Sequence, residues 1–89
     1  MPLNFAELCE RSNQNLRDFL RTEVDLGITF TRIARYQLKR GNRAHYESSK
    51  QKAVIALDAI DRFKERLPNE LRAGIQTGRF KLAKLISTL

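Results

Sequence analysis

The chain has 89 residues, 42 % of them apolar, and 17 lysines and arginines against 10 acids give it a net charge of +7. That describes one domain with a thin core, too apolar to remain disordered. Its longest unbroken apolar run, Ala53 to Leu57, is far short of the ~20 residues that a membrane span needs. An N-terminus bearing Glu7 and Glu10 lacks the plan of a secretory signal, basic first and then apolar. Cys9 has no second cysteine to bridge to, and together these features predict a reducing, cytoplasmic setting.

Residues 1–31 carry three basic and five acidic groups, a net −2. Residues 32–52 carry seven basic groups and only Glu47, a net +6, and residues 53–89 a net +3. The middle of the chain is therefore a basic island, which bears on polyanionic or acidic partners and says nothing of the fold.

No stretch alternates with period two, and breakers are few: Pro2, Pro68 and the Gly41-Asn42 pair. The chain reads as a single helical domain over 1–89, with helices at about 4–40, 43–67 and 69–87. The first helix carries apolar or small residues at helical spacing: Phe5, Cys9, Leu16, Phe19, Leu20, Val24, Gly27, Phe30, Ala34 and Leu38. Leu20, Gly27 and Ala34 lie seven apart, and small seam residues let another backbone come close. The polar run Ser12-Asn13-Gln14-Asn15 has weak helix formers, but Ser12 keeps the seam's phase, so a continuous or gently bent helix is expected.

Gly41 suits the left-handed residue that ends a helix, and Asn42 can cap the next one. So short a connection makes the two helices antiparallel. The second helix has the seam Ser49, Ala53, Ala56, Ile60, Phe63, Leu67, spaced four and three in alternation, a heptad signature. Asp58 and Arg62 can pair on its outer side. Pro68 ends it and Asn69 is the expected cap of the third helix. There Leu71, Ile75, Gly78, Leu82, Leu85 and Leu89 repeat the alternation. Three such seams close as an all-α, antiparallel three-helix bundle.

One cysteine, one histidine and four scattered glycines supply no metal set, no nucleophile with its base and no phosphate loop. The expectation is a protein with no catalysis, metal or cofactor. Cys9 reads as a small seam residue and His45 as a polar residue of the second helix's first turn. Glu23 projects from the apolar face of the first helix, between Leu20, Gly27 and Phe30. It is either an acid facing a partner in a groove or a carboxylate that reaches solvent or a neighbouring cation.

Arg17, Arg21, Arg32, Arg35 and Lys39 fall within about 60° of one another on the helical wheel, on the side opposite the seam. Ile28 lies among them, and Arg43 and Lys50 extend the stripe onto the second helix. Such a strip is either a solvated face or a track for phosphates. Tyr36 beside it is expected to be exposed, and one tyrosine does not make a stacking platform.

Over residues 30–57, Ile33, Ala34, Gly41 and Ala53 stand at the spacing of one tetratricopeptide-repeat hairpin, which the stretch resembles. Tyr46 replaces a small alanine of that pattern, Lys50 an aromatic and Gln37 a tyrosine. Long helices in a single three-helix array also resemble the microtubule-interacting and trafficking domain. Either resemblance implies a helical adaptor that binds a protein or peptide. The leading expectation is thus an interaction module that docks a partner helix, acidic partners being favoured, or that forms a homodimer. The alternative is a nucleic-acid-associated protein that uses the basic stripe. No membrane association is expected.

Overall fold

The computed structural model describes residues 4–89. Three α-helices account for most of them: α1 (Phe5–Lys39), α2 (Arg43–Phe63) and α3 (Asn69–Ser87), with a 3-10 turn at Lys64–Arg66. They run up, down and up, as an all-α antiparallel bundle. α1 is continuous through the polar run that includes Ser12. The Asn4 side chain caps it, accepting the Glu7 N–H at 2.8 Å. At the far end Gly41 has φ +79°, which leaves the Asn42 N–H free to reach the Gln37 carbonyl at 2.9 Å. Asn42 Oδ1 in turn accepts the His45 N–H and starts α2.

Two boundaries differ from expectation. The α-helical part of α2 ends at Phe63, not Leu67. Pro68 disfavours helical backbone at the residue before it, and Leu67 is extended (φ −81°, ψ 143°). Leu67 nonetheless stays in the core. Arg72 holds this bend, donating through Nη2 to the Leu67 carbonyl at 2.8 Å and the Glu65 carbonyl at 3.2 Å. The cap of α3 is Pro68 rather than Asn69, which is already the first helical residue and makes no side-chain cap.

The core joins Leu20 and Val24 of α1, Ala56 and Ile60 of α2, Leu67, and Ile75 and Leu82 of α3. Two glycines set how close the helices come. A Cβ on Gly27 would stand 2.5 Å from Leu82 Cδ2 and 3.3 Å from Ala56 Cβ, and one on Gly78 would stand 2.8 Å from Val24 Cγ1. α1 and α3 therefore run nearly in contact, with α2 against the same turn. Thr31 is buried beside this line and satisfies its hydroxyl on the Ile28 carbonyl at 2.7 Å. Tyr46 is buried too, and its hydroxyl donates to the Leu89 carbonyl at 2.7 Å, which ties α2 to the end of α3.

Asp58 and Arg62 do not form the expected pair. The pairing acid of α2 is its neighbour Asp61, which meets Arg79 of α3 through two bonds, 2.9 and 3.1 Å, and Lys64 at 3.3 Å. The Arg79 hydrogen bond, more than Lys64, holds the Asp61 carboxyl below its ordinary value against the opposing effect of desolvation.

The molecule measures 57 × 24 × 15 Å, and its radius of gyration is 15.9 Å, against about 12 Å for a compact chain of this length. α1 is the cause: at 1.5 Å per residue it is roughly 50 Å long. α2 ends level with Phe19, whose ring meets Phe63 edge-on at 6.0 Å between centroids. Nothing in α2 therefore covers the first turns of α1. Cys9, read as a seam residue, is exposed for that reason. Phe5 lies outside the described side chains.

The two glycine environments predict opposite signs. Gly27→Ala meets the fully buried Leu82 and should cost about 1–3 kcal/mol by overpacking. Gly74→Ala meets nothing within 4 Å and should gain up to about 1 kcal/mol from helix propensity. Urea denaturation of both variants reads the difference, and equal effects would contradict the close approach at Gly27.

Candidate functional site

Two faces of α1 remain after its neighbours have packed. Val24 meets Gly78 and Gly27 meets Leu82, so α3 lies on the side of α1 where Val24 and Gly27 point. At ~100° per residue Leu26 points about 160° away from Val24. The face centred on Leu26 is therefore turned away from α3, beside α2.

That face is apolar. Phe19, Leu26 and Ile33, seven residues apart, are 44, 44 and 38 % exposed. Beside them on α2 stands Ile55, 56 % exposed, next to the Ala56 that touches Gly27. Phe30, Ala59 and Phe63 are half-buried between the two rows. Phe19 belongs to the expected seam, but the structure leaves it half-exposed at the edge, with its ring edge-on to that of Phe63.

The face is also nearly free of charge. Within about 60° of Leu26, the α1 residues from Ser12 to Gln37 include no lysine or arginine, and Glu23 is their only ionisable group. Cations stand instead on the α2 rim. Lys52 Nζ lies 5.5 Å from the centre of the Phe30 ring, and the Arg66 guanidinium 4.9 Å from that of Phe63. Arg62 lines a cleft of about 390 Å³ with Ile55, Asp58, Ala59 and Phe63. Depletion of charge around aromatic and aliphatic side chains is the compositional mark of an interface centre.

Glu23 lies in this groove between α1 and α2, half-buried. Among the described residues no ion pair reaches its carboxylate. The described residues contain no group of three metal-ligating side chains.

The basic stripe is the second face, and its position differs from expectation. It does not stand opposite the packed face, because α3 runs along its edge. Ile28, at the stripe's centre, packs against the core. Arg17 is half-buried, lies 3.8 Å from Asp18 and lines a cleft of about 560 Å³ with Cys9, Asn13 and Leu71. Arg21 borders α3 at Gly74 and Gly78. Arg35 donates through Nη2 to the Thr88 hydroxyl. Arg32 and Lys39 are exposed. Arg43 is exposed at the hairpin tip, and Tyr36 is exposed under Arg40. Lys50 does not join the stripe. It lies over the Tyr46 ring on α2, and the end of α3, held by Tyr46 on one side and Arg35 on the other, stands between.

Among the described residues Phe80 on α3 is the most exposed large apolar side chain, at 69 %, which is ordinary for a surface. No helix among the described residues is long and apolar enough to cross a membrane. Comparisons with family models, curated proteins and solved structures give no match.

If the Leu26 face is a surface and not a core, polar replacements there should barely affect folding. Leu26→Gln and Ile33→Gln should change stability by less than about 0.5 kcal/mol each, whereas Leu20→Ala should cost about 2–5 kcal/mol. Thermal melts followed by circular dichroism make the comparison. A large loss at Leu26 that is the same at every protein concentration would place it in the core.

Proposed function

We propose that this chain is a binding module without catalysis, which docks an amphipathic helix in the groove between α1 and α2. The observation that carries this reading is the uncharged apolar row Phe19–Leu26–Ile33, joined by Ile55, on a chain of net charge +7. Its length suits a partner helix that presents apolar side chains at i, i+3 or i+4, and i+7. Lys52, Arg62 and Arg66 on the rim favour acidic groups flanking the partner's apolar stripe and speed its encounter. The resemblance of residues 30–57 to a tetratricopeptide hairpin points to the same class of function.

A photo-crosslinking amino acid in place of Leu26 tests the reading, with Gln76 on the exposed side of α3 as the control position. Discrete protein adducts should form from position 26 and not from 76. Adducts from neither position, or equally from both, would overturn it.

A second reading rests on the stripe. Among the described residues Arg21, Arg32, Arg35 and Lys39 have no carboxylate partner, and four such cations on one helix suit a phosphate backbone. Fluorescence anisotropy of labelled DNA and RNA should then show affinity falling about a hundredfold between about 50 and 200 mM salt for four contacts. It should also show binding lost on Arg32→Ala with Arg35→Ala. No binding at the lowest salt removes this reading.

A further inference from the structure

We infer that the helix which fills the groove is α1 of a second copy of this chain, and that two copies pair face to face in antiparallel register about a two-fold axis at Leu26. The inference rests on the docking reading above and names its partner. Three observations carry it.

The first is the symmetry of the row. Phe19 and Ile33 lie equally far, seven residues, on either side of Leu26. An antiparallel pair centred there sets Leu26 against its own copy and Phe19 against Ile33 of the other, so one apolar row complements itself, as a two-fold interface requires.

The second is charge. Two copies of a +7 protein repel each other, so they meet most readily where positive charge is sparse. The Leu26 face is such a place, since its α1 side holds no lysine or arginine from Ser12 to Gln37.

The third is the pairing of groups left over within one chain. Glu23 is half-buried in the groove and has no ion pair among the described residues. In the antiparallel register, the level of Glu23 in one copy is that of residues 29 and 30 in the other. There, Lys52 lies over the Phe30 ring. Each copy thus supplies the acid that the other's rim cation lacks, twice per dimer. Glu23 and Lys52 of the same copy lie too far apart along the groove to pair, since Lys52 is level with Phe30, two helical turns from Glu23.

Sedimentation velocity at physiological salt, from low micromolar to several hundred micromolar protein, tests the inference. The wild-type mass should rise towards twice that of the monomer. Leu26→Arg should stay monomeric. Glu23→Lys sets lysine against lysine, and Lys52→Glu sets carboxylate against carboxylate, so each should weaken self-association about tenfold or more. An equimolar mixture of these two variants should restore the dimer, because each then meets its opposite charge. Restoration on mixing cannot come from a defect in folding, and circular dichroism of each variant alone checks that it folds. A wild-type chain that stays monomeric throughout overturns the inference, as does a dimer indifferent to both charge reversals. A monomer that still crosslinks from position 26 to a different protein overturns the second copy as partner and leaves the docking reading standing.

Discussion

The contact on which the rest depends is the meeting of three helices at Gly27. With no side chain there, α1 admits Leu82 of α3 and Ala56 of α2 at the same turn. Gly78 against Val24 extends the approach along α3. This fixes the direction in which α3 lies, and with it the two sides of α1 that stay uncovered. Larger residues along the line would push α3 outward and open the core that holds Leu20, Ile60 and Leu82.

From that point the uncovered surfaces follow by elimination. α1 has 35 residues, whereas α2 has 21 and α3 has 19, so the shorter helices leave part of it bare. A molecule only 15 Å thick in one direction is about two helices deep, and each helix keeps a side in water. On α1 those sides differ sharply in chemistry. The side along α3 holds Arg17, Arg21 and Arg35, and the side along α2 holds Phe19, Leu26 and Ile33. The chain segregates its positive charge around one helix, which leaves a strip without lysine or arginine from Ser12 to Gln37 on a strongly basic protein.

Much of the fold was legible because α2 and α3 have unambiguous heptads and clear punctuation. Asn42 caps and Gly41 turns as their chemistry dictates. The end of α2 was less legible, because Leu67 continues the heptad in sequence while Pro68 forbids its helical backbone. It reaches the core by an extended step instead. In α1 two adjacent series compete: Leu20, Gly27, Ala34 and, one residue before each, Phe19, Leu26, Ile33. Hydrophobicity alone favours the second series, and the small residues of the first decide for it by allowing close approach. The small residues place the seam, and the series beside it is left as surface. The stripe is not opposite the packed face, because α3 sits at the edge of the seam, next to Ile28. Nothing in the sequence alone says on which side of the α1–α2 hairpin the third helix returns.

The most direct test of the central claim is a distance between two copies. Cys9 is the chain's one cysteine and is exposed, so it accepts a nitroxide label without further substitution. It lies 17 residues before Leu26. In the antiparallel register the two labels stand at opposite ends of the dimer, about 50 Å apart at 1.5 Å rise per residue. Pulsed dipolar spectroscopy on the concentrated protein should show a distance near that value, lost on Leu26→Arg. A short distance, as parallel helices would give, or no dipolar coupling at any concentration, would contradict the account.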